Sequence, residues 1–277
     1  MDTVAVITSV LSLIAGVGIF LIACSMMSSN LEALGSRKLK SLFSKASKSK
    51  LLGVGVGAAT TAVIQSSSAT SVMVIGFVNA GIMTLTQAAT VIFGANIGTT
   101  ITGQIVSLGL FGGNTVSTSA IFAAFAGVGA FILAFAKKDK VRKIGGITAG
   151  FGMLFAGLSM MSGAMSYFSG LDSVKNFLAM FKNPVLLVLT GALLTALVQS
   201  SSVMTSMAIT MVVTGLISLN QGIYITMGSN IGTCVTALIA GLTSTKNAKR
   251  TALIHLIFNV SGVVVFMLIG LFMGFGG

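Results

Sequence analysis

Long apolar stretches separated by short polar segments occupy almost all of the 277-residue chain. Apolar runs of about 20 residues have the length that crosses a hydrocarbon core as a helix. Barrel strands would be shorter and would alternate apolar with polar residues. The pattern therefore predicts membrane-spanning helices, in blocks at approximately 3–28, 51–82, 86–111, 116–136, 144–168, 184–217, 221–243 and 251–275.

Two of these blocks, 51–82 and 184–217, are interrupted near the middle by the polar segment Gln-Ser-Ser-Ser. The interruption leaves about 14 residues on either side, too few for two full spans at a rise of about 1.5 Å per residue. We therefore expect a re-entrant hairpin in each block, made of two short helices that enter the membrane partway and return. Non-helical backbone at that depth requires protein or a polar cavity around it.

The polar interruption is part of an internal repeat. Gln-Ser-Ser-Ser occurs at 65–68 and again 134 residues later, at 199–202. A second signature, Asn-Ile-Gly-Thr, occurs at 96–99 and, with the same separation, at 230–233. Because both signatures recur in register without a gap, the chain is predicted to contain two copies of one structural unit.

Each copy holds an odd number of full spans, which would place the second copy upside down in the membrane. The basic residues support this expectation, because Lys and Arg concentrate in predicted loops that would then share the cytoplasmic side, at 35–50, 137–143 and 246–250. We predict an all-α polytopic membrane protein with two inverted-topology repeats, 1–136 and 137–277. Each repeat is expected to have three transmembrane helices and one re-entrant hairpin.

Composition agrees with a membrane protein. Hydrophobic residues make up 55% of the chain, charged residues only 7%, and the mean hydropathy is +1.04, whereas a soluble domain carries about 25% charged residues. The net charge of +12 is interpreted as a topology signal rather than nucleic-acid binding, because the basic segments contain few aromatic residues. We expect a multi-pass protein of a bacterial inner membrane, with its first segment retained as a span; homo-oligomerisation is left open.

The serine triplets predict an anion site. Hydroxyl donors stand there beside the N-terminal end of a half-helix, which carries free N–H groups and a partial positive charge. Two copies that converge on one ligand would suit a tetrahedral phosphate. The predicted substrate-binding residues are Gln65, Ser66, Ser67, Ser68, Gln199, Ser200, Ser201 and Ser202.

The Asn-Ile-Gly-Thr segments predict a cation site. Glycines on both sides of each asparagine are expected to loosen the helix and free its carbonyl groups, and amide and hydroxyl oxygens suit sodium. Proton coupling is disfavoured because the apolar blocks hold only His255 and no carboxylate beyond Asp2; a structural or hydrogen-bonding role is expected for His255. The predicted sodium-binding residues are Asn96, Thr99, Thr100, Asn230 and Thr233.

Other roles compete with these. Small and hydroxyl residues in membrane helices often serve close packing, but recurrence of both signatures in register favours a ligand site. Cys24 and Cys234 are expected to be small buried residues, without metal or disulfide chemistry. Cys234 stands where the first copy has Thr100, which argues against identical cation binding in the two halves. Neither an enzymatic activity nor an organic cofactor is expected.

At these residues the chain resembles the type II sodium–phosphate cotransporter family. The motifs are VIQSSSATS at 63–71, LVQSSSVMTS at 197–206, GANIGTT at 94–100 and GSNIGTCVT at 228–236. The resemblance implies sodium-coupled symport of inorganic phosphate by alternating access, with substrate at the two Gln-Ser-Ser-Ser segments and sodium near the asparagines and threonines. A carrier of sulfate or a carboxylate remains an alternative, as does a non-transporting scaffold or passive anion pore.

Overall fold

The computed structural model describes residues 2–45, 49–110 and 118–273. These residues form eleven α-helices and contain no strand, which confirms the all-α prediction. The helices are α1 (Thr3–Lys45), α2 (Lys50–Ile64), α3 (Ser67–Asn79), α4 (Leu85–Leu110), α5 (Thr118–Phe135), α6 (Asp139–Ser169), α7 (Asp172–Ala179), α8 (Pro184–Val198), α9 (Ser201–Val213), α10 (Leu219–Leu242) and α11 (Lys246–Met273).

Five of the described helices, α1, α4, α6, α10 and α11, are long and apolar enough to cross a membrane. The sixth predicted span corresponds to α5, a shorter apolar helix in the described residues. The two interrupted blocks are the pairs α2–α3 and α8–α9, each made of two short apolar helices. A polytopic helical membrane protein is therefore confirmed, while the inverted orientation of the two repeats stays a prediction.

The three basic segments predicted as loops are largely helical, so their assignment as loops was wrong. Helix α1 continues to Lys45, α6 begins at Asp139 and α11 begins at Lys246; residues 46–48 lie outside the described residues. Lys and Arg are good helix formers, so a helix can continue past its apolar stretch and carry the charges on its end turns. The side of the membrane on which these ends lie stays a prediction.

Both hairpin breaks occur at the glutamine of Gln-Ser-Ser-Ser. Gln65 ends α2 with φ 57° and ψ 23°, and Gln199 ends α8 with φ 60° and ψ 20°. They are the only non-glycine residues with positive φ in the described chain. A left-handed residue with a side chain is disfavoured, so its appearance at both equivalent positions shows that the surrounding structure holds each tip in one conformation.

The ends of the two hairpins also match. Gly81 (φ 73°) follows α3 and Gly215 (φ 71°) follows α9, where a left-handed residue closes the helix end. A reciprocal capping box then starts the next span. In the first half the backbone N–H of Thr84 donates to Gln87 Oε1 at 2.9 Å, and in the second the N–H of Ser218 donates to Gln221 Oε1 at 2.8 Å.

The chain divides into two compact units, and each takes segments from both sequence repeats. The first comprises Met1–Leu34, Gly103–Lys182 and Thr205–Gly222. In it, α5 packs on α6 through the aromatic rings of Phe122, Phe125, Phe151 and Phe155.

The second unit comprises Gly35–Thr102, Asn183–Met204 and Ile223–Gly277. Its main core joins α2, α3 and α4 to α10 and α11 of the other repeat, through buried residues that include Val74, Val91 and Ala252. This unit contains both Gln-Ser-Ser-Ser segments and both Asn-Ile-Gly-Thr segments.

Candidate functional site

The first hairpin tip is a serine-capped helix end. Ser66 has extended backbone (φ −146°, ψ 106°), and its Oγ accepts a hydrogen bond from the Ala69 N–H at 3.1 Å, as expected of an N-cap. Accepting this bond leaves the hydroxyl proton available to an anion. Ser67, the first helical residue, is buried and Ser68 is half-buried, so all three serines lie at the start of α3.

The second tip repeats this arrangement. Ser200 Oγ accepts a hydrogen bond from the Val203 N–H at 3.4 Å, and α9 begins at Ser201. Ser201 and Ser202 are buried. Each tip therefore offers hydroxyl groups at the N-terminal end of a 13-residue helix, where unpaired backbone N–H groups and the helix dipole favour negative charge.

The two glutamines are tied to the fold by both ends of the side-chain amide. Gln65 Nε2 donates to the Ala62 carbonyl oxygen at 2.6 Å, and its Oε1 accepts from the Thr102 hydroxyl at 2.7 Å. Gln199 does the same with the Ala196 carbonyl and with the Thr236 hydroxyl at 2.5 Å. Each hairpin tip is thus fastened to the span that carries the Asn-Ile-Gly-Thr segment of the same half.

Thr102 and Thr236 were not predicted as site residues from the sequence. A signal was available, because the two threonines are separated by the same 134 residues as the motifs that precede them. Nothing in a linear sequence, however, distinguishes a hydroxyl that reaches another helix from one that bonds its own backbone.

The expectation that glycines loosen the helix around Asn96 and Asn230 was wrong. Helices α4 and α10 run through both segments without a break. The glycines instead permit close helix packing: a Cβ added at Gly94 would lie 1.9 Å from the Val54 carbonyl oxygen, and one added at Gly228 would lie 1.9 Å from that of Val188. The Gly-x-x-x-Gly spacing thus presses α4 on α2 and α10 on α8.

The predicted sodium ligands have oxygen lone pairs to offer despite this intact backbone. Asn96 uses its amide nitrogen on the Ile92 carbonyl at 3.0 Å, which leaves its Oδ1 available. Thr99 and Thr233 donate their hydroxyl protons to the carbonyls four residues earlier, at 3.1 and 2.9 Å. A hydroxyl oxygen whose proton bonds its own helix has lone pairs left over, and oxygen lone pairs are the ligands that a hard cation such as sodium prefers.

Thr100 and Asn230 are less enclosed than the other predicted ligands. Both are exposed, and Thr100 donates to the Ile97 carbonyl at 2.8 Å. At the position of Thr100, the second half has buried Cys234, whose thiol sulfur accepts from Asn259 Nδ2 at 3.4 Å. Asn259 also donates to the carbonyl oxygen of His255 at 2.9 Å.

His255 is buried in the same part of the second unit, and the described residues offer no partner to its Nδ1. The structural or hydrogen-bonding role expected of the His255 side chain therefore stays a prediction. Next to it, the Asn259 amide links α11 to the Cys234 thiol of α10.

Behind the tips the two halves differ. In the first half, buried Thr61 donates to Thr70 Oγ1 at 3.0 Å, and Thr70 donates to the Ser66 carbonyl at 3.1 Å. In the second half, the equivalent of Thr70 is Met204, and Thr195 Oγ1 is buried with no partner in the described residues. The hydroxyl relay from Thr61 through Thr70 to Ser66 therefore has no counterpart at Thr195 and Met204.

The helix that leads into each predicted substrate segment packs on the predicted sodium segment of its own half, because Thr61 lies against Gly98 and Thr195 lies against Gly232. All eight substrate residues and all five sodium residues belong to one compact unit. That the two tips face each other across a single ligand stays a prediction.

The sequence match decides the family. The family model described as Na+/Pi-cotransporter matches residues 19–163 and again residues 164–276. The chain belongs to the Na+/Pi-cotransporter family. Two successive matches fill almost the whole chain, which agrees with an internal duplication, and they make the resemblance to sodium–phosphate cotransporters a confirmed one.

Curated relatives of this cotransporter family differ in name. An uncharacterised Bacillus subtilis protein, YqeW, is 30% identical over 74% of the chain, which covers 64% of that protein. YjbB of Salmonella typhimurium, provisionally named for inorganic phosphate export, is 24% identical over 94% of the chain and 46% of its own length. Human sodium-dependent phosphate transport protein 2B is 44% identical over 29% of the chain and 12% of its length.

The chain thus spans about half to two thirds of the length of the two bacterial relatives. No solved structure matches it.

Proposed function

We propose that this protein is a secondary active transporter that couples inorganic phosphate to sodium and moves both by alternating access. The observation that carries the proposal is the pair of serine-capped helix ends at 66–68 and 200–202, each fastened to a helix that offers amide and hydroxyl oxygens. Membership of the Na+/Pi-cotransporter family and the name of the human relative support phosphate and sodium as the transported ions.

Phosphate would be held by hydroxyl protons, helix-end N–H groups and glutamine amides. An anion bound in this way needs no cationic side chain, because the dipole of each half-helix supplies partial positive charge. The predicted substrate residues contain no Lys or Arg, so the ion's remaining charge would be offset by sodium ions that enter with it. This neutralisation gives a physical reason for coupling.

Sodium would bind near Asn96, Thr99, Thr100, Asn230 and Thr233, through oxygen atoms whose partners leave lone pairs available. The two halves are not expected to contribute equally. Cys234 places a thiol where the first half has the Thr100 hydroxyl, and a thiol is a poor ligand for a hard cation.

Phosphate export is a second candidate. It is favoured by the name of YjbB, to which 94% of the chain aligns. A sodium-coupled symporter takes its direction from the combined gradients of its two ions, so the coupling and the direction have to be measured separately.

The proposal is tested with purified protein, first for ligand binding in detergent and then for transport in liposomes. Phosphate stabilisation is measured first, as the thermal midpoint in detergent with phosphate, sulfate or succinate, in sodium and in potassium. We expect phosphate to raise the midpoint in sodium more than in potassium, because a ligand that binds the folded state stabilises it. Equal effects of sulfate and phosphate would contradict phosphate as the substrate.

The serines provide the matched variants. Ser67→Ala and Ser201→Ala each remove one buried hydroxyl from a helix start, and we expect each to weaken apparent phosphate affinity about tenfold. Ser29→Ala is the control, because that hydroxyl bonds the Ser25 carbonyl within α1 at 2.8 Å. Unchanged phosphate affinity in both tip variants would indicate that the serines serve helix packing, as expected of a non-transporting scaffold.

A further inference from the structure

Most hydroxyl groups on the two helices that carry Asn-Ile-Gly-Thr are satisfied within their own helix. Thr90, Thr99 and Thr100 donate to carbonyls of α4 three or four residues earlier. Ser229 and Thr233 do the same in α10. Such local bonds are the usual fate of serine and threonine hydroxyls in helices.

Thr102 and Thr236 depart from this pattern. Each donates its hydroxyl proton across the helix interface to the amide oxygen of a tip glutamine, Gln65 or Gln199. Both glutamines stand in the left-handed conformation at the break of the hairpin. This threonine–glutamine hydrogen bond occurs once in each half and at equivalent positions. A chance contact would not be expected to recur in this way.

The two bonds of each amide together fix its orientation. A backbone carbonyl can only accept, so the atom bonded to the Ala62 or Ala196 carbonyl must be the nitrogen. The oxygen then points to the threonine, which donates. An amide nitrogen has two protons, and with one committed to the carbonyl, the other remains available as a hydrogen-bond donor.

We propose that Thr102 and Thr236 are positioning residues of the anion site, which hold the Gln65 and Gln199 amides with a nitrogen-bound proton, rather than the oxygen, directed to the ligand. This rests on the proposed function, since it assigns a role within that same phosphate site. Without the threonine donor the amide oxygen loses its partner and the amide can turn. A turned amide would present a partial negative charge to an anion and weaken its binding.

The test is phosphate uptake by Thr102→Val and Thr236→Val in proteoliposomes that contain the full chain. Valine keeps the shape of threonine and removes only the donor. We expect KM for phosphate to rise about tenfold at Thr102, the loss of one buried bond, and severalfold at the less buried Thr236. Vmax per mole of protein should stay within about twofold, because the conformational cycle does not use this hydroxyl.

Two matched variants separate positioning from structure. Thr102→Ser restores the hydroxyl and should return KM to within about twofold of wild type, because the donor is present again. Thr90→Val also removes the hydroxyl of a buried threonine from α4, but this hydroxyl bonds the Gln87 carbonyl of its own helix, so KM should stay unchanged. Without phosphate, the thermal midpoints of Thr102→Val and Thr90→Val should be alike.

The proposal is overturned if Thr102→Val leaves KM unchanged, if only Vmax falls, or if Thr102→Ser is as impaired as the valine variant. Should Thr102→Val not yield folded protein, Thr236→Val, at the more exposed of the two contacts, decides the question. Saturable phosphate uptake by wild type is measured in the same experiment, so failure of the proposed function is seen separately from failure of the positioning role.

Discussion

One of the close backbone approaches between helices of the second unit offers a sharp test of how these helices are arranged. Gly57 of α2 faces α4 so closely that an added Cβ would lie 1.9 Å from the Val91 carbonyl oxygen and 2.9 Å from the Ala95 nitrogen. Both are backbone atoms, which cannot rotate away as a side chain can. Gly57→Ala is therefore expected to force α2 and α4 apart.

The size of the effect follows from the geometry. Ordinary Cβ contacts begin at 3.4 Å, so the helices would have to separate locally by about 1.5 Å. Overpacking of this kind costs about 1–3 kcal/mol or more, and the helix preference of alanine over glycine returns about 1 kcal/mol at most. Gly55→Ala is the control, because Gly55 lies two residues away on α2 and a Cβ there has no atom within 4 Å.

The assay is thermal unfolding in detergent, monitored by the size-exclusion profile and by the fluorescence of a thiol-reactive or environment-sensitive reporter dye. We expect Gly55→Ala to melt at or slightly above wild type and Gly57→Ala to melt several degrees below it, since a loss of about 1 kcal/mol shifts the midpoint by about 2–4 °C in a chain of this size. A Gly57→Ala protein as stable as Gly55→Ala would refute the close packing of α2 on α4.

Two further comparisons address the tip and the difference between the halves. Gln65→Gly should be more stable than Gln65→Ala by about 1 kcal/mol. Both variants lose the hydrogen bond to Thr102, but only glycine adopts the left-handed backbone without strain. Melting curves in the reverse order would contradict this conformation of residue 65. Thr61→Val should destabilise by about 1 kcal/mol because it breaks the bond to Thr70, whereas Thr195→Val should be neutral or stabilising because it removes a buried hydroxyl without a partner. Equal effects of the two valine variants in sodium-free buffer would argue against this asymmetry.

Much of the architecture could be predicted because the membrane restricts the choices. Apolar runs of spanning length, and two blocks broken by Gln-Ser-Ser-Ser, determined the helical class and the positions of both breaks. The breaks were predicted from polarity alone. That a glutamine would end the first arm in a left-handed conformation could not be foreseen, since this conformation is disfavoured for every residue with a side chain and is held here by contacts distant in sequence.

The glycines were misassigned for a related reason. A glycine beside an asparagine can loosen a helix or allow another backbone to approach, and the sequence pattern is the same in both cases. Gly94 and Gly98 serve close packing because Val54 and Ala58 of α2 lie against them. Likewise, Thr102 differs from Thr99 only in which atom its hydroxyl reaches, and this depends on the packing of α2 beside α4.

The boundaries of the basic segments were the weakest part of the sequence interpretation. Hydropathy marks where the apolar stretch ends, whereas the helix ends only where its hydrogen bonds stop. In α1 and α11, lysines and arginines extend the helix beyond the apolar residues. The charge asymmetry behind the predicted inverted topology is unaffected by this difference, since it depends on which segments are basic and not on whether they are helical.

We have proposed that phosphate movement is coupled to sodium at the two serine-capped tips, and this coupling can be measured. It is tested most directly by radiolabelled phosphate in proteoliposomes with an inward sodium gradient, compared with potassium and with a proton gradient of equal size. We expect transient accumulation of phosphate above the external concentration in sodium only, and we expect it to be abolished when Ser67 and Ser201 are both replaced by alanine. Phosphate that merely equilibrates, at the same rate in all three conditions, would contradict it.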